Sequence, residues 1–205
     1  MQANRAVAQV LDAGCGGGDV YADFPDSHIV GIDLDPDALA RNARIDERIV
    51  GDILTYPFQP DSFDVILCQD VLEHLPEPAV ALRNFARWVK PGGRIILGFP
   101  NVMSLKGLIT KFTPHAFHLW FYRRILGSKL AGTPGYGPYR TYLRFAISPR
   151  NIRKLANEMD LEVETLACTS GFFVARSRFM RPLMTLIQQR GDCHVVLRKR
   201  FAGLH

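Results

Sequence analysis

The chain has 205 residues, 47% of them apolar, and a formal net charge of +5 at pH 7. Since this is enough material for one substantial core, we predict a single domain over residues 1–205. No stretch approaches the roughly 18 uninterrupted apolar residues of a membrane span, and no basic segment followed by an apolar one opens the chain. These features exclude an integral membrane protein and predict a cytoplasmic one.

The charges are distributed unevenly along the chain. Residues 1–77 hold 15 acidic and 4 basic side chains, whereas residues 79–157 hold 14 basic and no acidic ones. One interpretation is that the middle segment faces an anionic partner, such as a membrane surface, a phosphate or a carboxylate. The other is that its bases balance the acidic front half across the fold.

The four cysteines lie far apart, at Cys15, Cys68, Cys168 and Cys193. Their spacing fits neither a zinc site nor a disulfide framework. We therefore expect small core residues in a reducing compartment.

Five short apolar runs alternate with mostly helical stretches over the first hundred residues. The runs are "AQVLDA" (8–13), "HIVGIDL" (28–34), "RIVGDI" (48–53), "FDVILC" (63–68) and "GRIILGFP" (93–100). Helices are predicted from Pro36 in "PDALARNAR" and over "EPAVALRNFARWVKPGG", with a stop at Pro91 and Gly92. This order predicts a parallel sheet with crossover helices, a doubly wound α/β domain whose ligands bind beyond the carboxyl ends of the strands.

Glycine is concentrated where the first strand ends. In "VLDAGCGGGDV" (10–20), Gly14 and residues 16–18 form the predicted turn into a helix, where missing side chains let a ligand reach the backbone. Asp33 ends the second strand about twenty residues later, a spacing typical of a carboxylate that accepts hydrogen bonds from ribose. Asp52 ends the third strand. A nicotinamide fingerprint would need glycine at position 19, where the chain has Asp19.

The motifs "DAGCGGG", "GIDLDP", "FDVILCQDVLEHLPEP" and "KPGGRIILGFPN", in this order, resemble the class I S-adenosylmethionine-dependent methyltransferases. The resemblance is to the methyltransferase type 11 group, which includes ubiquinone-pathway O-methyltransferases, and is clear over residues 7–100. It implies that S-adenosylmethionine is the cofactor and that the fold is a Rossmann-like seven-stranded sheet with an antiparallel last strand and helices on both faces. The implied cofactor contacts are Asp12 and the backbone of Gly14 and Gly16 on the methionine moiety, Asp33 on the ribose, Leu34 and Ile53 around the adenine, Asp52 on its amino group and Gln69 near the sulfonium.

The C-terminal third supplies the remaining elements of that fold. A helix is predicted in "ISPRNIRKLANEMD", with Ser148 as N-cap and Pro149 at the first helical position. "LEVETLA" (161–167) is the predicted sixth strand, and "CHVVLRKR" (193–200) the seventh, antiparallel at the edge of the sheet. Only nine residues precede the apolar core of the first strand, where relatives usually have covering helices. Three interpretations are open: the chain starts late relative to its relatives, another element supplies the cover, or the protein is shortened and has reduced cofactor affinity.

Residues 101–147 form an insertion that we expect to carry substrate specificity as a helical lid. Two short helices are predicted, in "SLKGLITKF" (104–112) and "TPHAFHLWFYRRILG" (113–127), followed by a Gly/Pro loop (131–142) able to close over a site. The second helix is apolar and aromatic almost all round. Such a helix either packs as a cap on the sheet or covers a hydrophobic acceptor near an anionic membrane surface.

A general base would help transfer to a hydroxyl. His74, after the fourth strand, is the first candidate, and His115 and His118 on the lid helix are weaker ones. In the alternative interpretation, His74 only ties its loop by hydrogen bonds. The "DVLEH" run also resembles the divalent-cation ligands of ubiquinone-pathway O-methyltransferases and small-RNA 2′-O-methyltransferases, with Asp70, Glu73 and His74 as donors. Glu73 as a loop anchor is the favoured alternative.

Three functions follow. The first is methyl transfer to a small-molecule acceptor, a hydroxyl of a hydrophobic, lipid-linked or glycan-type compound, at the membrane periphery if the lid contacts lipid. The second is RNA methylation, although no recognisable RNA-binding module accompanies the basic segment, which argues against a nucleic-acid partner. The third is a non-catalytic cofactor-binding or membrane-associated module.

Overall fold

The computed structural model describes residues 7–17, 24–100, 113, 115–124, 127, 142, 147–169 and 192–201. Seven strands form one sheet. They are β1 (Ala8–Ala13), β2 (Ser27–Asp33), β3 (Glu47–Val50), β4 (Phe63–Gln69), β5 (Val89–Pro100), β6 (Leu161–Thr169) and β7 (Asp192–Lys199). The described helices are α1 (Pro36–Arg41), α2 (Pro78–Trp88), α3 (His115–Arg124) and α4 (Pro149–Glu158), with a 3₁₀ turn at Leu72–His74.

The strand order is β3-β2-β1-β4-β5-β7-β6, and β1 to β5 are parallel to one another. β7 is antiparallel to both β5 and β6, which confirms the Rossmann-like sheet with an antiparallel last strand. The expected position of β7 was wrong. It lies between β5 and β6, so β6 forms the edge of the sheet.

Two strand boundaries differ from the sequence prediction by three or more residues. β3 ends at Val50 because the next residue, Gly51, donates its N–H to the Asp33 carbonyl oxygen and the chain then turns. β5 begins at Val89, since that residue is extended and pairs with Phe63 of β4. Helix α2 therefore ends at Trp88, before the predicted stop at Pro91 and Gly92.

The helix starts follow the predicted capping positions with one difference in chemistry. α1 begins with Pro36 after Asp35, whose side chain accepts hydrogen bonds from the backbone N–H groups of Asp37 and Ala38. α4 begins with Pro149 after Ser148, as predicted, but the Ser148 side chain makes no capping hydrogen bond.

Hydrophobic clusters cover both faces of the sheet. Along β1, Val10 belongs to a smaller cluster with Leu39 of α1, and Leu11 belongs to the larger cluster that contains Phe85 and Trp88 of α2. Successive strand residues point to opposite faces, so both faces are packed. No helix in the described part of the chain is long and apolar enough to cross a membrane.

The cysteines divide into two kinds. Cys15 and Cys68 are buried free thiols, as expected. Cys193 is fully buried and disulfide-bonded, so the expectation of a reduced core thiol was wrong for this residue. The spacing hid this because the β6–β7 ladder pairs residues far apart in sequence and sets Cys168 opposite Cys193.

Candidate functional site

The carboxyl ends of β3, β2, β1 and β4 lie side by side and bring the predicted site residues to one edge of the sheet. Asp12 is near the end of β1, Asp33 ends β2 and Gln69 ends β4, while Asp52 follows β3 in the turn. Parallel strands place their carboxyl ends at the same edge, which is where ligands bind in doubly wound sheets. The fold thus unites side chains separated by more than fifty positions.

Gly14 has a structural role in the turn after β1. It adopts φ +79°, and its N–H donates to the Ile32 carbonyl oxygen at 2.8 Å. A Cβ at this position would lie 2.5 Å from Cγ2 of Val71. The space beside Gly14 is therefore filled by a protein side chain, a contact that no local sequence pattern indicates.

Gly16 differs from Gly14. It adopts φ +49°, and a Cβ placed on it would meet no atom of the described residues within 4 Å. Its N–H donates to Oδ2 of Asp33 at 2.8 Å, which ties the turn after β1 to the end of β2. Asn42, buried just after α1, approaches the Gly16 carbonyl oxygen with Nδ2 at 3.5 Å. Gly16 thus presents open space beside a fixed carboxylate.

The Asp33 carboxylate is held by two backbone donors. Oδ2 accepts from Gly16, and Oδ1 accepts from the N–H of Asp35 at 2.9 Å. Each carboxylate oxygen has two lone pairs, so Asp33 retains acceptor capacity after these bonds. Leu34, next in sequence, is 69% exposed at the same edge and is free to contact a ligand.

The turn after β3 orients Asp52. Its Oδ1 accepts from the N–H of Leu54 at 2.8 Å, and its carbonyl oxygen accepts from the N–H groups of Thr55 and Tyr56. Ile53 is buried in the larger core cluster, and its carbonyl oxygen accepts from Nδ2 of Asn84. The Ile53 side chain therefore packs inward, in contrast to the exposed Leu34 side chain.

Two thiols lie near the acidic side chains of this edge. Burial, followed by the charges of Asp12 and Asp33, raises the pKa of Cys15 to about 12. Burial also raises the pKa of Cys68 well above its usual range, with smaller contributions from Glu73 and Asp12. Both thiols stay neutral at physiological pH and add no anion beside the buried Asp12.

The end of β4 carries Gln69 and the turn with His74. Gln69 is half-buried and packs closely over Gly98 of β5, where a Cβ would collide with its amide. Nε2 of His74 lies 4.0 Å from Oε1 of Glu73, and the His74 side chain is 30% exposed. His74 is thus accessible on the same edge as Gln69.

Part of the insertion reaches this turn. Tyr142 donates its backbone N–H to the Glu73 carbonyl oxygen at 2.8 Å. The first predicted insertion helix (104–112) and most of the loop 131–142 lie outside the described residues. His115 and His118 lie on α3, but their side chains are not among those described, so their assignment as bases stays a prediction.

The described residues offer no group of three or more His, Cys, Asp or Glu side chains that could hold a metal ion. Asp70, for example, is exposed and adopts φ +54°. The arrangement of Asp70, Glu73 and His74 therefore does not reproduce the cation site that the "DVLEH" spacing suggested. The buried Glu73 side chain is more consistent with the loop-anchor interpretation.

The strands that form this edge lie within a match to a known protein family. Residues 11–97 match the model of the methyltransferase domain. Over this stretch, which is less than half of its length, the chain is similar to that methyltransferase family. The match begins in β1 and ends in β5, so it includes every strand end that contributes to the candidate site.

Two curated relatives show how far the methyltransferase likeness extends. The chain is 36% identical to phosphoethanolamine N-methyltransferase 1 of Triticum aestivum, over 45% of this chain and 21% of that protein. It is also 36% identical to the ubiquinone biosynthesis O-methyltransferase of Aeromonas salmonicida, over 45% of this chain and 43% of the relative. The alignments thus span less than half the length of either relative.

The fold likeness covers almost the whole chain. The structure of magnesium protoporphyrin IX methyltransferase from Synechocystis PCC 6803, solved with bound S-adenosylmethionine, superposes with a TM-score of 0.56 at 16% identity. The superposition covers 94% of this chain and 70% of that one. At this identity the likeness establishes the fold.

Proposed function

We propose that the chain binds S-adenosylmethionine at the carboxyl edge of β1–β4 and transfers its methyl group to a small-molecule acceptor. The observation that carries the proposal is the pairing of Gly16 with Asp33. An unobstructed glycine backbone lies beside a carboxylate that retains acceptor capacity for ribose hydroxyls.

The residues present fit this cofactor at three points. Asp33 would accept from the ribose, the exposed Leu34 would cover one face of the adenine, and the open side of Gly16 would admit the methionine moiety. Gly14, whose free side is filled by Val71, would contribute backbone geometry only. Ile53 would contribute mainly through its backbone, because its side chain lies in the core.

The bound cofactor would supply a methyl group on a sulfonium sulfur, which would leave as a neutral thioether. The chain would then hold the acceptor in line with that methyl and exclude water. Gln69 and His74, at the end of β4, would face the reacting atoms, with His74 accepting the proton of a hydroxyl. The Tyr142 contact to the His74 turn supports the insertion as the wall of the acceptor pocket.

The proposed acceptor is a hydroxyl of a hydrophobic, lipid-linked or glycan-type compound. The exposed aromatic side chains of α3 support an apolar acceptor. The relatives include both an N- and an O-methyltransferase, so they do not decide between nitrogen and oxygen as the acceptor atom. Loss of turnover in His74→Gln with unchanged cofactor affinity would support the base assignment, and retained turnover would contradict it.

The proposal is tested by calorimetric titration of the chain with S-adenosylmethionine and its demethylated product. Asp33→Ala should weaken binding by about 10- to 100-fold, since hydrogen bonds to a charged group contribute about 1.5–3 kcal/mol. Asp37→Ala, which removes an exposed carboxylate from α1 next to the site, is the matched control and should bind normally.

Asp33→Ala also removes the acceptor for two backbone N–H groups, so a second variant is needed. Asp33→Asn keeps one acceptor oxygen and should fold like the parent while binding more weakly. Full affinity in a folded Asp33→Asn protein would contradict the ribose assignment. Absence of cofactor binding by the folded parent would favour a non-catalytic module, and transfer of labelled methyl to RNA alone would favour the RNA methyltransferase alternative.

A further inference from the structure

Helix α3 presents aromatic side chains to solvent. Phe117 is 48% exposed and Trp120 is 52% exposed, and their rings stack with centroids 5.7 Å apart. Large aromatic side chains usually provide core area, so a stacked pair left half in water is an unusual feature of a folded domain. The expected packing of this helix as a buried cap does not account for these two residues.

Basic side chains continue the same exposed strip. Residues three and four apart lie on one face of a helix, which places Arg123 and Arg124 directly after Trp120 along the face of Phe117. Both arginines are exposed. The strip therefore runs from a stacked aromatic pair to a pair of guanidinium groups over eight residues, or about 12 Å.

The charge around this helix favours one kind of partner. Residues 79–157 contain 14 basic and no acidic side chains, which makes the segment around the strip strongly positive. Aromatic rings settle at the headgroup level of a bilayer, and neighbouring arginines extend toward anionic phosphates. A protein partner would have to supply both an apolar groove and an acidic rim. An anionic bilayer presents apolar chains and acidic headgroups everywhere on its surface.

We propose that α3 docks the protein on an anionic membrane surface, with Phe117 and Trp120 inserted at headgroup depth and Arg123 and Arg124 on lipid phosphates. The helix lies along the surface and does not span the bilayer. This docking goes beyond methyl transfer and does not depend on it. If the proposed function holds, docking would bring the acceptor pocket to compounds dissolved in the membrane.

The chain contains a built-in optical probe of this docking. It has two tryptophans, the fully buried Trp88 and the half-exposed Trp120. With vesicles of phosphatidylcholine and phosphatidylglycerol, the Trp120 emission should shift to the blue and be quenched by brominated lipid tails. Trp120→Phe leaves only Trp88, whose emission should stay unchanged, and vesicles of phosphatidylcholine alone should bind weakly.

Charge variants test whether α3 itself makes the contact. Each basic residue at an anionic surface contributes about fivefold to partitioning, so Arg123→Gln with Arg124→Gln should weaken vesicle binding by about 25-fold. The matched control is Arg150→Gln with Arg153→Gln, two exposed arginines of α4 in the same acid-free segment. This control makes the same change in net charge and should weaken binding by less than about threefold.

The outcomes separate the candidate partners of the helix. Equal weakening by both arginine pairs, or unquenched Trp120 in the presence of bound vesicles, would overturn the docking proposal. A change from dimer to monomer in sedimentation of Phe117→Ala with Trp120→Ala would also overturn it, because a second copy would then cover the helix. Cofactor affinity measured on the same variants should not change, so failure of docking is distinguishable from failure of the proposed function.

Discussion

The amino and carboxyl edges of the parallel sheet use the same interaction, a hydrogen bond from a backbone N–H group to an aspartate carboxylate, for different purposes. At the amino edge, Asp46 and Asp64 accept from the backbone N–H groups of Ile29 and Gln9, both at 2.8 Å. At the carboxyl edge, Asp33 accepts from Gly16 over the same distance. In each case a carboxylate fixes the chain at a strand end.

The edges differ in what surrounds these carboxylates. Asp64 also accepts from Nζ of Lys90 at 2.8 Å, and Asp46 lies 3.8 Å from His28. At the other edge, no described basic side chain forms an ion pair with Asp33. Asp64, which accepts from Lys90 and from a backbone donor, stabilises the fold. Asp33, which has backbone donors and lies beside Gly16, has acceptor capacity left for a ligand.

Exchange of the two turn glycines for alanine tests this difference and has the largest expected effect. Gly14→Ala combines an unfavourable left-handed conformation with a clash against Val71, so it should lower the free energy of unfolding by about 4 kcal/mol. Gly16→Ala has no clash to relieve and should cost only about 1 kcal/mol in stability. Its main effect should be weaker S-adenosylmethionine binding, because the added methyl group enters the space proposed for the ligand.

Urea unfolding and calorimetric titration of both variants provide the measurements. Val71→Ala should restore part of the stability lost in Gly14→Ala and none of the affinity lost in Gly16→Ala. Equal stability losses in the two glycine variants would contradict the assignment of Gly14 to structure and Gly16 to the ligand.

Reduction of the Cys193 disulfide has the next largest expected effect on stability. It tests whether β6 and β7 influence the proposed cofactor site at the carboxyl edge. The β6–β7 register predicts Cys168 as the partner of Cys193, closing a loop of about 25 residues that is expected to contribute about 3 kcal/mol. Reduction should therefore lower the melting temperature. Cofactor affinity should persist, since β5 separates β7 from β4.

Peptide mapping without reductant identifies the bond, and Cys193→Ser should reproduce the effect of reduction. Cys68→Ser, at a buried free thiol, is the control that should leave the reductant sensitivity in place. Recovery of both cysteines as free thiols after purification under oxidising conditions would contradict the prediction.

The sequence predicted the parallel half of this fold well, because local signals act there. Buried strands are continuous apolar runs, and Pro36 and Pro149 begin helices where their fixed φ and missing N–H are tolerated. The end of β3 was misplaced because Gly51 turns the chain through a hydrogen bond to β2, a neighbour in space. The position of β7 likewise depends on pairing between distant segments.

The candidate site shows the same division. The positions of Asp33 and Gly16 at neighbouring strand ends could be predicted from spacing, since the strands that carry them end at the same edge. The filling of space beside Gly14 by Val71, and the hydrogen bond from Tyr142 to the His74 turn, could not be found that way. Both contacts join residues more than fifty positions apart, and nothing in either local sequence indicates the other.

Exchange of Asp64 for asparagine has the smallest expected effect and should alter stability without altering the site. Burial acts to raise the Asp64 pKa, but hydrogen bonds from Lys90 and Gln9 outweigh it and hold the pKa below its ordinary value. Because the folded pKa is depressed, the carboxylate stabilises the fold above its unfolded pKa and loses that contribution as the pH falls through the folded value. Asp64 and Lys90 are both more than a third exposed, so screening limits the expected loss in Asp64→Asn to about 0.5 kcal/mol at neutral pH.

Unfolding curves of parent and variant should converge as the pH falls below about 4. Both proteins should bind S-adenosylmethionine equally, since Asp64 lies at the edge opposite the proposed ligand site. A variant with weakened cofactor binding at full stability would mean that the two edges are coupled through the strands and that the separation of fold stabilisation from the ligand site is incorrect.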